Sequence, residues 1–292
     1  MRAAAALAWV FWMAVHPIQG QLDGIARILG LAILVGIPLA IDYVHGPHPL
    51  FRTIEAFWLP AGLLAVFSLT WPPGSLSTAL AVPWLVEALL LMAWAVYRKP
   101  RRLEEALFSV GFAYLPVGAI WLIASRWGHG LLGFTEPLVL LTAVHFHFAG
   151  CLAPCLAGAI GRALSNPRFY RILAIGIAAG PPLVALGILG NVPLELVSGT
   201  ILGSCLFGLA LLLLGPVRDD LPGLARLGAT VSALCGLGAM LLAISYAARS
   251  MLPQYALTIP QMAETHGLLN SVGFTIVGLW SCQKWRRVNS IE

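Results

Sequence analysis

The sequence predicts an all-α, polytopic transmembrane helical bundle of about ten spans with both termini in the cytoplasm, and three observations predict it. Hydrophobic residues make up 59% of the chain and charged residues 10%, with a mean hydropathy of +0.88, far from the soluble balance of about a quarter charged. Apolar runs of roughly 20 residues, the length that crosses a bilayer, succeed one another along the chain. Basic residues gather in every second connection between these runs, the pattern that sets orientation in a membrane. A net charge of +5 spread in such short clusters forms no stripe for nucleic acid.

The first element is residues 3–15 behind Arg2. A charged head and a short apolar body suit a signal peptide or a first membrane helix. Cleavage would need small residues of the A-x-A kind, and the chain reads Pro17-Ile-Gln-Gly20, so a retained helix is expected. If it were cleaved, nine spans would remain and the N-terminus would be external.

The following spans are expected near 26–44, 53–71, 77–97, 103–124, 135–160, 169–190, 195–216, 227–247 and 261–283. The basic connections hold Arg98, Lys99, Arg101 and Arg102, then Arg162, Arg168 and Arg171, then Arg218 and Arg226, and finally Lys284, Arg286 and Arg287. The others are poor: 72–76 and 190–194 have no basic residue, 125–134 has Arg126 and 248–260 has Arg249. Termini on one side require an even number of spans. No long polar insert or repeat interrupts the pattern, so residues 1–292 read as a single integral membrane domain, although about ten helices could conceal an inverted repeat of the transporter kind.

Glycine and proline inside the spans, as in Gly176-Ile-Ala-Ala-Gly180-Pro-Pro182, Pro60 to Gly62 and Pro154, fit close helix packing and mild kinks, with an unwound binding segment as the alternative. The five cysteines, Cys151, Cys155, Cys205, Cys235 and Cys282, fall in or beside apolar runs. Their odd number argues against a disulfide framework.

Ionisable groups inside membrane helices are costly and tend to mark sites or pathways. The span near 135–160 carries His145 and His147 at mid-depth, pointing about 200° apart on an α-helix, so one face cannot present both unless Pro154 distorts the turn. His147, Cys151 and Cys155 fall on one stripe, a donor set that would suit copper; small packing residues are the plainer reading. Glu264, His266 and Asn270 open the last span, and Glu136 and Glu195 with Asn191 start others. Glu136, Glu264 and His266 could lead from the outer surface towards Asn270 and the central histidines, since carboxylate and imidazole tune each other's proton affinity; wetting by headgroups is the alternative. Glu87 lies mid-span, where a lone carboxyl needs a partner or a proton. Glu55 and Asp42 lie near the cytoplasmic ends of their spans; Asp42 and Tyr43 with His45 and His48 form a small ligand-like group, with a solvated loop the plainer reading, and Trp58, Trp71, Trp84, Trp94 and Trp121 read as interfacial belts or packing.

The chain has no phosphate-loop, dinucleotide, zinc-protease or hydrolase-elbow motif, which argues against ATP-driven transport by this chain alone and against an ordinary metalloprotease.

Val144-His-Phe-His-Phe-Ala-Gly150 together with Glu264-Thr-His-Gly-Leu-Leu-Asn-Ser-Val-Gly-Phe274 resembles the YndJ-like family of bacterial membrane proteins. The resemblance covers these two polar blocks and the helical layout of the C-terminal two-thirds. It implies a location in the bacterial inner membrane and that the two blocks belong together, but no mechanism. On that basis His145, His147, Glu264, His266 and Asn270, with Glu136 and Glu87, are the candidate substrate- or proton-binding groups.

Two readings of function follow. The first is a secondary transporter or carrier for a small molecule or ion, needing no cofactor. The second is a haem- or copper-binding redox or sensory protein using histidines on two helices, with His147, Cys151 and His266 as candidate ligands. An intramembrane enzyme using Glu264 and His266 as acid and base is a weaker third.

Overall fold

The structure, a computed structural model, describes residues 2–15, 21–164, 167–251, 253–255 and 257–289. The Pro17–Gly20 junction lies outside the described residues, as do the side chains of Arg286 and Arg287. The described chain is helical, without a named strand; Leu131 and Phe134 form an isolated bridge. In a bilayer this is the economical outcome, because a helix satisfies its own backbone groups where no water can.

In chain order the helices are α1 (Arg2–Val15), α2 (Leu22–Val44), α3 (Pro49–Ser68), α4 (Ser75–Arg98), α5 (Leu103–Trp127), α6 (Leu138–Gly161), α7 (Pro167–Ile188), α8 (Val192–Val217), α9 (Gly223–Ala247) and α10 (residues 259–289). Among the described residues eight helices, α2 to α9, are long and apolar enough to span a membrane. The expected first and last spans differ from these for different reasons. The apolar part of α1, Ala5–Val15, is short, whereas α10 is long but opens with Glu264, Thr265, His266, Asn270 and Ser271.

Several helices widen locally. α2 passes through a π-helical segment at Ala32–Gly36, α6 through one at Phe146–Leu152, and α10 through two at Ala263–Gly267 and Leu269–Ile276. Such turns are rare and concentrate at functional sites. In α8, π-helical Leu213–Val217 contains a kink at Gly215, just before Pro216, where a proline removes a backbone donor.

Two compact units divide the chain. The first comprises residues 1–101 and 108–152. In it α3 packs against α4, the first part of α2 packs against the start of α6, and the π segments of α2 and α6 meet. Its core holds Trp84, Phe51, Phe108, Phe112 and a run of isoleucines and leucines from α2, all shielded. Trp58, Trp94 and Trp121 are buried too, while Trp71 is exposed.

The second unit comprises residues 102–107 and 153–292. There α7 packs on α8, α8 on α9, and α9 on α10. Small residues allow the close approach. Gly176 lies against Sγ of Cys205 and a Cβ on Gly180 would stand 2.7 Å from Leu202, so this glycine pair is a packing seam. At the start of the unit Arg162 grips Glu105 in a two-pronged ion pair, 2.6 and 2.8 Å. All five cysteines are unbridged. Large side chains such as Val96, Ile172 and Leu224 are exposed, as expected of helices whose outer surface meets lipid tails.

Candidate functional site

His147 occupies the interior of the first unit and is fully shielded. It sits in the π-helical part of α6, which packs against the π-helical part of α2. Its Nδ1 donates to the Ala143 carbonyl at 2.7 Å. A carbonyl only accepts, so Nδ1 carries the proton and Nε2 keeps its lone pair. That lone pair accepts the indole N–H of Trp84 at 2.8 Å. The two rings are nearly parallel, 16° apart, with centroids 6.0 Å apart. Gly118 on α5 makes room for the imidazole: a Cβ there would stand 2.6 Å from Nδ1. The ring is therefore neutral, oriented, and in use at both nitrogens.

His145 points the other way. It is exposed and its Nδ1 donates to the Leu141 carbonyl at 2.8 Å, so the two histidines do not share a face.

Glu87 lies one turn beyond Trp84 on α4, is fully shielded, and has no hydrogen-bond partner at either carboxyl oxygen among the described residues. Buried polar groups are nearly always partnered, so a carboxyl with both oxygens unmet stands apart.

Glu136 stands where α6 begins. Its Oε2 accepts the Leu140 N–H at 3.1 Å, while Oε1 is buried without a hydrogen bond. The Arg126 guanidinium lies within its electrostatic reach. The sequence reading placed Arg126 in a connection; the structure buries it in the last turn of α5, 7% exposed. The reason is local. The Arg126 carbonyl accepts the Gly74 N–H at 2.8 Å and the Ser77 hydroxyl at 2.9 Å, which pins α5 to the start of α4. Its Nη2 donates to the Ser125 hydroxyl at 3.0 Å.

In the second unit, the Nδ1 of His266 donates to the Ala239 carbonyl of α9 at 2.9 Å. Asn270 is half-buried one turn on, and its backbone carbonyl accepts the Thr275 hydroxyl at 2.7 Å. Glu264 is exposed. Glu195 pairs with Arg249 at 2.7 Å, and Asn191 caps α8 by accepting the Leu194 N–H at 2.9 Å. In the first unit His45 pairs with Glu55 at 3.2 Å, and His48 lies on the Tyr97 ring at 4.2 Å.

For a metal ion held by three or more side chains, the donors do not assemble among the described residues. Cys151 and Cys155 are buried in α6. Among the described residues no group of three or more His, Cys, Asp or Glu side chains could hold a metal ion. A ligand to His147 Nε2 would have to displace Trp84.

Two participants escaped the sequence reading. By sequence Trp84 reads as an interfacial or packing residue, although its place three residues before Glu87 puts both on one helix face. Gly118 had no local signal at all, since its role depends on a ring from another helix.

A family model described as YndJ-like protein matches residues 27–274. The chain is 28% identical over 206 residues to a protein of Bacillus subtilis (strain 168) described as the uncharacterized membrane protein YndJ, across 68% of this chain and 37% of that one. The chain thus spans little more than a third of that relative's length. No solved structure matches it. The family match takes in α3 to α9, most of α2, and both polar blocks, those of His147 and His266. The chain belongs to the YndJ-like family of membrane proteins.

Proposed function

We propose that this chain is a secondary transporter or carrier of the bacterial inner membrane that moves a small molecule or ion. The observation that carries the proposal is Glu87, a shielded carboxyl with no hydrogen-bond partner one turn from the Trp84–His147 pair. Carriers place ionisable groups in the bundle interior because binding there must be reversible. A purely structural core would have no use for an unpartnered acid.

In this reading the interior groups of the first unit are His147 and Glu87. Those of the second are His266 and Asn270, with Glu136, Glu264 and His145 nearer the surfaces. The whole chain acts as one membrane domain. The reading takes α1 and α10 as two further crossings beside the eight long apolar helices, ten in all, with both termini in the cytoplasm. The alternating basic connections support this orientation. Helices α7 to α10 pack through small residues, which suits helices that slide.

The test is a thermal-shift screen of purified protein against small organic anions, cations and amino acids, followed by uptake of each hit into proteoliposomes. A hit should accumulate in vesicles holding the native chain and fail to do so with His147→Ala or His266→Ala, both of which should still purify as folded protein. Unchanged uptake in both variants would remove the proposal.

A further inference from the structure

We propose that Glu87 is a proton-binding carboxyl that takes up and releases a proton from the middle of the first unit. Proton binding is argued from geometry; its use as the coupling step rests on the carrier reading above.

Glu87 lies near the midpoint of α4, about 17 Å from either helix end at 1.5 Å per residue. It is 0% exposed and neither oxygen has a hydrogen-bond partner. Its neighbours on the same helix face, Trp84 and Leu91, are buried and supply no oxygen. The surrounding helices carry further titratable groups, among them Asp23, Arg27, Asp42 and Tyr43 on α2, Arg52 and Glu55 on α3, Tyr114 and Arg126 on α5, and His145 and His147 on α6. None of them hydrogen-bonds the carboxyl. A bare carboxylate in that position would lack both solvent and hydrogen-bond donors, and such a group binds something instead.

A proton is the ligand that fits. It needs one lone pair, whereas calcium takes about six to eight oxygens and magnesium about six. Among the described residues no third His, Cys, Asp or Glu joins any pair to make such a cage.

His147 is unsuited to the same task although it is nearer the centre of attention in the sequence. Protonating Nε2 would turn it into a donor facing the Trp84 N–H donor, now 2.8 Å away. The ring could take a proton only by breaking that bond. Glu87 breaks nothing on gaining or losing one. The pair instead forms a fixed polar wall one turn from the acid.

The full chain in proteoliposomes, treated with N,N′-dicyclohexylcarbodiimide, tests this directly. That reagent partitions into the membrane and reacts with protonated carboxyls. The acid O–H adds across one C=N bond, and the O-acylisourea rearranges to an N-acylurea that retains the reagent's whole mass. Mass spectrometry of the intact chain and of its peptides should show one adduct, on Glu87, whose yield falls as pH rises. Glu87→Gln should lose it; Glu55→Gln, Glu136→Gln and Glu264→Gln should keep it. Because Gln matches the neutral acid in shape, the variant should elute from size exclusion like the native chain. Should it fail to fold, the position of the adduct and its pH profile in the native chain decide the matter alone.

An adduct elsewhere, a yield independent of pH, or protection by sodium at constant pH would overturn the assignment. None of these readouts involves transport. Labelling as described with no uptake of any hit would therefore sink the carrier and leave the proton site, and the reverse result would do the opposite.

Discussion

The indole N–H of Trp84 and Nε2 of His147 meet at 2.8 Å in the shielded centre of the first unit, 63 positions apart in the chain. The contact fixes the histidine's tautomer, because the other nitrogen already donates to Ala143 at 2.7 Å. It also ties α4 to α6 by a polar bond where apolar packing alone would leave rotation about the helix axis less defined. Glu87 lies one turn along α4 from Trp84, and neither of its oxygens shares in this bond.

Trp84→Phe keeps the aromatic bulk and deletes the donor. The lone pair of His147 is then stranded in an apolar interior, at a cost of about 1 kcal/mol, typical of hydrogen bonds between membrane helices. Unfolding in detergent should report a destabilisation of that size relative to the native chain. If the two unfold alike, the bond is not contributing.

Gly118→Ala should be worse. The added methyl would stand 2.6 Å from Nδ1 of His147 and 3.1 Å from Cβ of Phe146, so the ring or α5 must move, at about 1–3 kcal/mol. Gly24→Ala is the control, since nothing lies within 4 Å of its Cβ position. Equal melting temperatures for the two variants would show that the histidine can step aside freely.

Arg162 and Glu105 supply a test in the second unit. Their side chains are 20% and 23% exposed and meet through two bonds, a geometry stronger than ordinary surface pairs. A double-mutant cycle with Arg162→Met and Glu105→Gln should give a coupling of about 1–2 kcal/mol that shrinks as salt is added. Coupling near zero would mean the pair is incidental to folding.

The haem or copper reading makes its own demand. Because Trp84 occupies Nε2 of His147 and no group of three or more metal donors forms among the described residues, the purified protein should show no Soret band that depends on His147, and elemental analysis should find less than one copper per chain. A Soret band lost in His147→Ala would reverse this conclusion and require Trp84 to swing away.

The layout was legible in the sequence because hydrocarbon imposes it. Residues 77–97 announce α4 by composition alone, and the observed helix, Ser75–Arg98, exceeds them by a few residues. The opposite directions of His145 and His147 follow from their spacing. Arg126 was misplaced because a charge beside an apolar run looks like a loop charge, whether water or the Trp71 and Ser125 oxygens receive it. Glu195 likewise gave no sign of its partner Arg249, 54 positions away, paired at 2.7 Å. The π segments were invisible for a subtler reason: a single widened turn changes no residue's hydropathy and only slightly shifts the period.

Those widened turns have a consequence for how the chain tolerates change. A π turn amounts to one residue more than an α-helix needs, so deleting a single position within Phe146–Leu152 could heal α6 into regular helix rather than destroy it. Every residue on one side of the repair would then rotate by about 100° against the other, carrying His147 off Trp84 or Cys155 out of its packing. The helix would survive as a helix, and its two halves would no longer agree on which direction is inward.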